Sequence, residues 1–241
     1  MERLTLAGAP AVAVHASTAE RAARRGTVLV YHALGGDKSV HADDLALLAR
    51  AGFLAIGVDA VGHGDRPWPD AWERFRGGWR QAFLEVVTET AAEVPRLVDD
   101  LERRGLAGPG ALGVVGVSLG GFVAYGAALA DRRVAAIVCV NASPRWGDDP
   151  RSPDRHRERF FPAAVLSVTG GADPIVPADH ARVFHAGLAR HYAGAPERER
   201  FVELPGESHR MSVAALERTR DEAVRWLSRF LAADATARAS T

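Results

Sequence analysis

Ala111-Leu112-Gly113-Val114-Val115-Gly116-Val117-Ser118-Leu119-Gly120-Gly121 runs from an uncharged, valine-rich stretch into a serine set among glycines, and the chain continues at helical spacing to Asp131. The composition and period of the two halves predict a strand, a sharp turn and a helix from Leu119 to Asp131. Within it, Gly116-Val117-Ser118-Leu119-Gly120 matches G-x-S-x-G, the pattern in which a serine is pushed out on a strained strand-to-helix turn. Such a turn needs small residues two places before and two places after the serine, because strand and helix approach closely there. Gly116 and Gly120 meet that need, and Gly121 adds room. A purely structural turn would use the same glycines; the strand before and the helix after give the match its weight.

Outward from this segment the same rhythm recurs. Short runs rich in Val, Leu and Ile at Thr27 to His32, Phe53 to Asp59, Val134 to Asn141, Ala163 to Thr169 and Arg200 to Leu204 read as further strands. Longer segments between and after them, at Val40 to Ala51, Asp70 to Arg104, Ala178 to His191 and Ser212 to Ala233, read as helices, the second with a break near Gly77-Gly78. Ahead of these, Arg3 to Leu6 and Ala11 to His15 flank the turn Ala7-Gly8-Ala9-Pro10 and form an antiparallel edge pair. The expected fold class is α/β: a mostly parallel eight-stranded sheet with helices on both faces. No period of twenty to fifty residues repeats, and no low-complexity linker divides the chain, so residues 1–234 read as one domain with a frayed tail at 235–241. Pro144 to Arg159, charged and proline-rich, reads as a surface excursion with room for one short helix, and Pro144 to Pro162 is too short for a large cap domain.

Composition narrows the function classes. The 241 residues carry 30 basic and 30 acidic side chains with no long block of either sign, which offers nothing to nucleic acid or an anionic membrane. The single cysteine, Cys139, excludes an intrachain disulfide and a multi-cysteine zinc site. The first ten residues lack the charged-then-apolar pattern of a secretory signal, and no apolar run is long enough for a membrane span, so a soluble, cytoplasmic protein is expected. No residue pattern calls for a metal or organic cofactor.

A serine hydroxyl needs a base to take its proton as it attacks. His209 is the candidate among nine histidines: it follows the last strand and the turn Leu204-Pro205-Gly206-Glu207-Ser208 and precedes the final helix, at the edge of the sheet where Ser118 must lie. A carboxylate between the two in chain order completes the set, and Gly170-Gly171-Ala172-Asp173-Pro174 supplies Asp173 directly after a strand. Negative charge developing on a carbonyl oxygen calls for two backbone N–H donors. Leu119, the residue after the serine, is one candidate. Leu34, in the loop His32-Ala33-Leu34-Gly35-Gly36, is the other, with Ala33 behind it. The tryptophans at 68, 72 and 146 fall after strands near the same edge, with Phe75 and Trp79 beside the first two. Trp68, Trp72 and Trp146 are candidates for the wall of an apolar substrate pocket, although aromatic side chains at helical spacing commonly just pack on a neighbour.

Taken together, the His32 loop, Gly57-Val58-Asp59-Ala60-Val61-Gly62-His63-Gly64-Asp65-Arg66, G-V-S-L-G-G, G-G-A-D-P-I-V-P and Glu207-Ser208-His209 resemble the α/β-hydrolase superfamily, and within it the dienelactone-hydrolase-like esterases. The resemblance spans nearly the whole chain. It implies a serine esterase acting on a small-molecule ester through an acyl-enzyme, with a structural role for Asp59 to Arg66. Family members often carry His-Gly where this chain has His32-Ala33. Dienelactone hydrolases proper use cysteine where Ser118 stands, so the resemblance implies ester cleavage and not that lactone chemistry. The same triad would serve a thioesterase or a peptidase, and a hydrolase fold can also bind ligands without turning them over.

Overall fold

In the computed structural model, which describes residues 1–237 with side chains through residue 231, the strands and helices alternate as expected. In chain order the elements are β1 (Glu2–Leu6), β2 (Ala9–Val14), α1 (Ala19–Arg25), β3 (Thr27–Tyr31), α2 (Ala42–Arg50), β4 (Leu54–Val58), α3 (Ala71–Arg103), β5 (Leu112–Val117), α4 (Leu119–Ala130), β6 (Val134–Val140), β7 (Ala164–Gly170), α5 (Asp179–Leu188), β8 (Glu199–Leu204) and α6 (Val213–Ala237). The eight strands form one sheet in the order β1-β2-β4-β3-β5-β6-β7-β8. The β1–β2 and β2–β4 pairs are antiparallel, and every later pair is parallel.

Parallel strands need coverage on both faces, and the buried side chains divide accordingly. One apolar cluster joins the sheet to α1, α3, α4 and α5 through residues such as Ala22, Val86, Phe122 and Phe184. The other joins its opposite face to α2 and α6 through Leu45, Leu48, Trp226 and Phe230. Strands β6 and β7 are buried along their whole length. This is why their sequences read as unbroken apolar runs and not as alternating ones.

Two local details differ from the sequence expectation. Helix α1 is additional: Thr18 caps it by accepting from the Arg21 amide at 3.3 Å, and Gly26 stops it at φ 143°. Only Ala22 and Ala23 are buried in its seven residues, too few for an apolar stripe to register. The segment after β6 makes two short 3-10 turns, Pro153–Arg155 and Arg157–Arg159, and it is tied down more firmly than a surface excursion: Trp146 is buried and its amide donates to the buried Ser152 Oγ at 2.7 Å. The break expected in the long helix is present, with Gly78 outside helical geometry at φ −177° and ψ 83°. Helix α6 continues to Ala237, past the expected end, and the remaining residues of the expected tail, 238–241, lie outside the described residues.

Candidate active site

The turn from β5 into α4 puts Ser118 at φ 53° and ψ −116°, a conformation that costs a side-chain-bearing residue about 1–3 kcal/mol and persists only where the surroundings enforce it. The enforcement is visible. The Ser118 amide donates to the Val140 carbonyl at 2.8 Å, and the Ser118 carbonyl accepts from Gly121 and Phe122 at 2.8 and 3.1 Å. A Cβ on Gly116 would run into the Gly120 carbonyl, and one on Gly120 into the Tyr31 carbonyl at the end of β3. Only glycine at both positions lets strand, turn and neighbouring strand meet.

Three loops at this edge of the sheet converge. Ser118 Oγ lies 3.0 Å from His209 Nε2, and His209 Nδ1 lies 2.6 Å from Asp173 Oδ2. Because the carboxylate can only accept, Nδ1 carries the imidazole proton and Nε2 is free to accept from the serine hydroxyl. The other carboxylate oxygen is occupied: Asp173 Oδ1 accepts from the Ile175 and Val176 amides at 2.8 and 2.9 Å, which fixes the orientation of the buried side chain. The three residues singled out from the sequence are therefore brought into one hydrogen-bonded line.

The two candidate backbone donors lie in different segments. Leu119 is the first residue of α4, whose opening amides have no partner within the helix. Leu34 sits beyond β3 in a loop whose base is held by His32. His32, almost fully buried, donates from Nδ1 to the Ala33 carbonyl at 2.8 Å and accepts at Nε2 from the Ala60 amide at 3.0 Å. Burial pushes its imidazole below the usual value, against the Ala33 bond, which raises it. Beside it, the buried Asp59 accepts from the Lys38 amide, Lys38 Nζ and the Asp65 amide at 2.7, 3.0 and 2.8 Å, a structural knot between two loops.

The three tryptophans do not gather. Trp146 packs on α4 at Gly126, Trp68 packs against Gly62 beneath the Arg74 guanidinium, and Trp72 is 70% exposed beside Arg76. The sequence reading also passed over Asn141. This residue, at φ 47° just beyond β6, donates from Nδ2 to the His209 carbonyl at 2.8 Å and accepts at Oδ1 from the Gly170 amide at 2.9 Å. An asparagine is one of the few non-glycine residues that tolerates such a φ, but nothing in a single sequence marks this one.

A second serine–histidine pair lies elsewhere. Ser167, in the middle of β7 and fully buried, meets His185 Nε2 at 2.7 Å and the Tyr125 hydroxyl at 2.6 Å, while His185 Nδ1 contacts Glu199. Burial holds the Tyr125 hydroxyl far above its ordinary titration range, so it stays protonated. Among the described residues no group of three or more His, Cys, Asp or Glu side chains could hold a metal, and no helix is long and apolar enough to cross a membrane.

Comparison with known proteins agrees with this fold. A Bacillus subtilis (strain 168) protein bearing the name "Putative esterase YitV" is 24% identical over 234 residues, covering 85% of this chain and 89% of that protein. The crystal structure of TT1662 from Thermus thermophilus superimposes with a TM-score of 0.77 at 24% identity, covering 95% of this chain and 97% of that one. The structure named "Putative Dienelactone Hydrolase" from Klebsiella pneumoniae gives a TM-score of 0.69 at 18% identity, covering 92% and 93%. The family model described as alpha/beta hydrolase fold matches residues 26–169, from the strand before the His32 loop to the last residue before the Asp173 turn. With that match over more than half of its length, the chain belongs to the alpha/beta hydrolase fold family.

Proposed function

We propose that the protein is a serine esterase, with Ser118 as nucleophile, His209 as general base and acid, and Asp173 as the group that orients and stabilises the imidazole. The observation that carries this reading is the continuous line from Ser118 Oγ through His209 to Asp173 Oδ2, at 3.0 and 2.6 Å. Ser118 Oγ attacks the ester carbonyl as its proton passes to His209 Nε2. The oxygen that becomes negative is held by the amides of Leu119 and Leu34. The protonated imidazole then gives its proton to the departing alcohol, leaving an acyl group on Ser118, and a water molecule repeats the sequence to release the acid. Throughout, Asp173 keeps Nδ1 protonated, so that Nε2 alone exchanges protons. The esterase name carried by the Bacillus relative favours an ester over other acyl bonds.

The test is a fluorophosphonate probe together with a short aryl acetate. The wild-type protein is expected to label once, at Ser118, and to release the phenol in two phases, a burst and a steady rate. Labelling and turnover that survive Ser118→Ala would end this assignment, as would absence of both from folded wild-type protein.

A further inference from the structure

Strands covered by helices on both faces ordinarily expose no side chain in the middle of the sheet. Val115 and Val117 of β5 depart from that rule: both are partly exposed, and both line a cavity of about 290 Å³. It lies between α2 and α6, with Leu48, Met211, Leu216 and Val224 completing an apolar wall. Asp44 of α2 ties the two helices together, accepting from Arg220 Nε of α6 at 2.5 Å and from His41 Nδ1 at 2.8 Å. Burial raises the Asp44 carboxyl, but the bonds to His41 and Arg220 outweigh it and keep the group ionised below its ordinary value. The wall also includes His209, and neither Ser118, Leu119 nor Leu34 takes part in it.

We propose that this cavity receives the alcohol portion of the ester, and that this portion is a linear alkyl group. The inference rests on the serine-esterase reading and adds a direction to it. When the tetrahedral adduct collapses, the C–O bond to the alcohol breaks, the carbonyl re-forms, and the proton that Nε2 took from Ser118 passes to the departing oxygen. That oxygen must therefore lie against His209, while the carbonyl oxygen faces the Leu119 and Leu34 amides. An apolar space walled by the histidine and by none of the oxyanion donors is on the alcohol's side. If a methylene fills about the volume of a water molecule in the liquid, roughly 30 Å³, a loosely fitted chain of about six to eight carbons occupies the space. Covering Val115 and Val117 would return the central strand to the fully buried state its neighbours enjoy.

The experiment uses the full chain and two ester series, acetates of alcohols from methyl to decyl and methyl esters of acids from acetate to decanoate. The acetate series should rise in kcat/KM by about tenfold or more up to hexyl or octyl and then fall. Leu216→Trp, which fills the cavity, should remove that rise while leaving methyl acetate within about twofold, and Leu216→Ala should move the fall to longer alcohols. Unchanged fluorophosphonate labelling and an unchanged melting profile establish that each variant is folded with its site intact; Val224→Phe serves if Leu216→Trp is not. A response that is flat with alcohol length, a rise confined to the acid series, or an equal loss on short and long acetates would overturn the proposal while leaving a labelled, active serine esterase. Loss of labelling and of methyl acetate turnover from wild-type protein would instead remove the esterase reading beneath it.

Discussion

Among the described residues two lines join a serine, a histidine and a carboxylate, and the proposed function assigns the reaction to one of them. Ser118, His209 and Asp173 meet at the open edge of the sheet, whereas Ser167, His185 and Glu199 meet inside it. Distances barely separate them: the two serine–histidine contacts are 3.0 and 2.7 Å. What separates them is everything around the hydroxyl. Ser167 Oγ shares a hydrogen bond with the Tyr125 hydroxyl, and its 0% exposure shuts out any substrate. Ser118 is partly exposed, stands on a turn at positive φ, and is followed by the first residue of a helix. A proton-handling line is thus a common product of satisfying buried polar groups. On the proposed function, reactivity is added by a strained turn, a partly exposed hydroxyl and backbone donors for the developing charge.

The sharpest way to break the comparison is to exchange each serine for alanine. Ser118→Ala should lower kcat on a short aryl ester by about 10⁴-fold or more, since members of a triad act as a unit, and Ser167→Ala should leave it within about twofold. The carboxylates should divide in the same way: Asp173→Asn, which permits the wrong tautomer, is expected to cost about 10⁴-fold in kcat, and Glu199→Gln almost nothing. Stability should follow the reverse order. Ser167→Ala leaves Tyr125 and His185 with unmet partners and should lower the unfolding free energy in urea by about 1–3 kcal/mol. Ser118→Gly relieves a positive φ and should raise it by about 1 kcal/mol. The smallest effect belongs to His32, which serves neither line but holds the Leu34 loop. Its imidazole is depressed by burial in the folded state, so its contribution is fully present above the ordinary histidine value of about 6.5 and is lost as pH falls below it toward the folded value. Urea midpoints measured between pH 7.5 and 5.5 should fall with acidification in wild-type protein and fall less in His32→Asn.

Legibility in the sequence followed how local each cause is. The elbow was readable because its glycines, serine, strand and helix are contiguous, and the clash that demands glycine at 116 involves residue 120, four places away. His209 and Asp173 were readable because each sits in a turn directly after a strand and the chain order is constrained by the fold. The break in α3 announced itself as paired glycines. By contrast, the fates of Trp68, Trp72 and Trp146 depend on which helix face meets which neighbour, and helical spacing alone does not say whether an aromatic ring meets substrate, core or solvent. The Ser167–His185–Glu199 line joins β7, α5 and the start of β8, and Asn141 joins two loops whose attachment points lie 29 and 68 residues further along the chain. Nothing in a short window could reveal either. Helix α1 was missed for the opposite reason, being a short local element with good end signals and almost no apolar face.

Asn141 has a wider consequence. Its single amide clips the loop bearing the base to the root of the loop bearing the acid, so the two cannot drift apart without breaking a shared fastener. The chain emerges to solvent a few residues later, at Arg145. Extra sequence grafted beyond that point could roof the reaction chamber and change what enters it, while the alignment of base and acid below stayed in register. The same arrangement that makes this chain compact also leaves a ready-made port for new specificity.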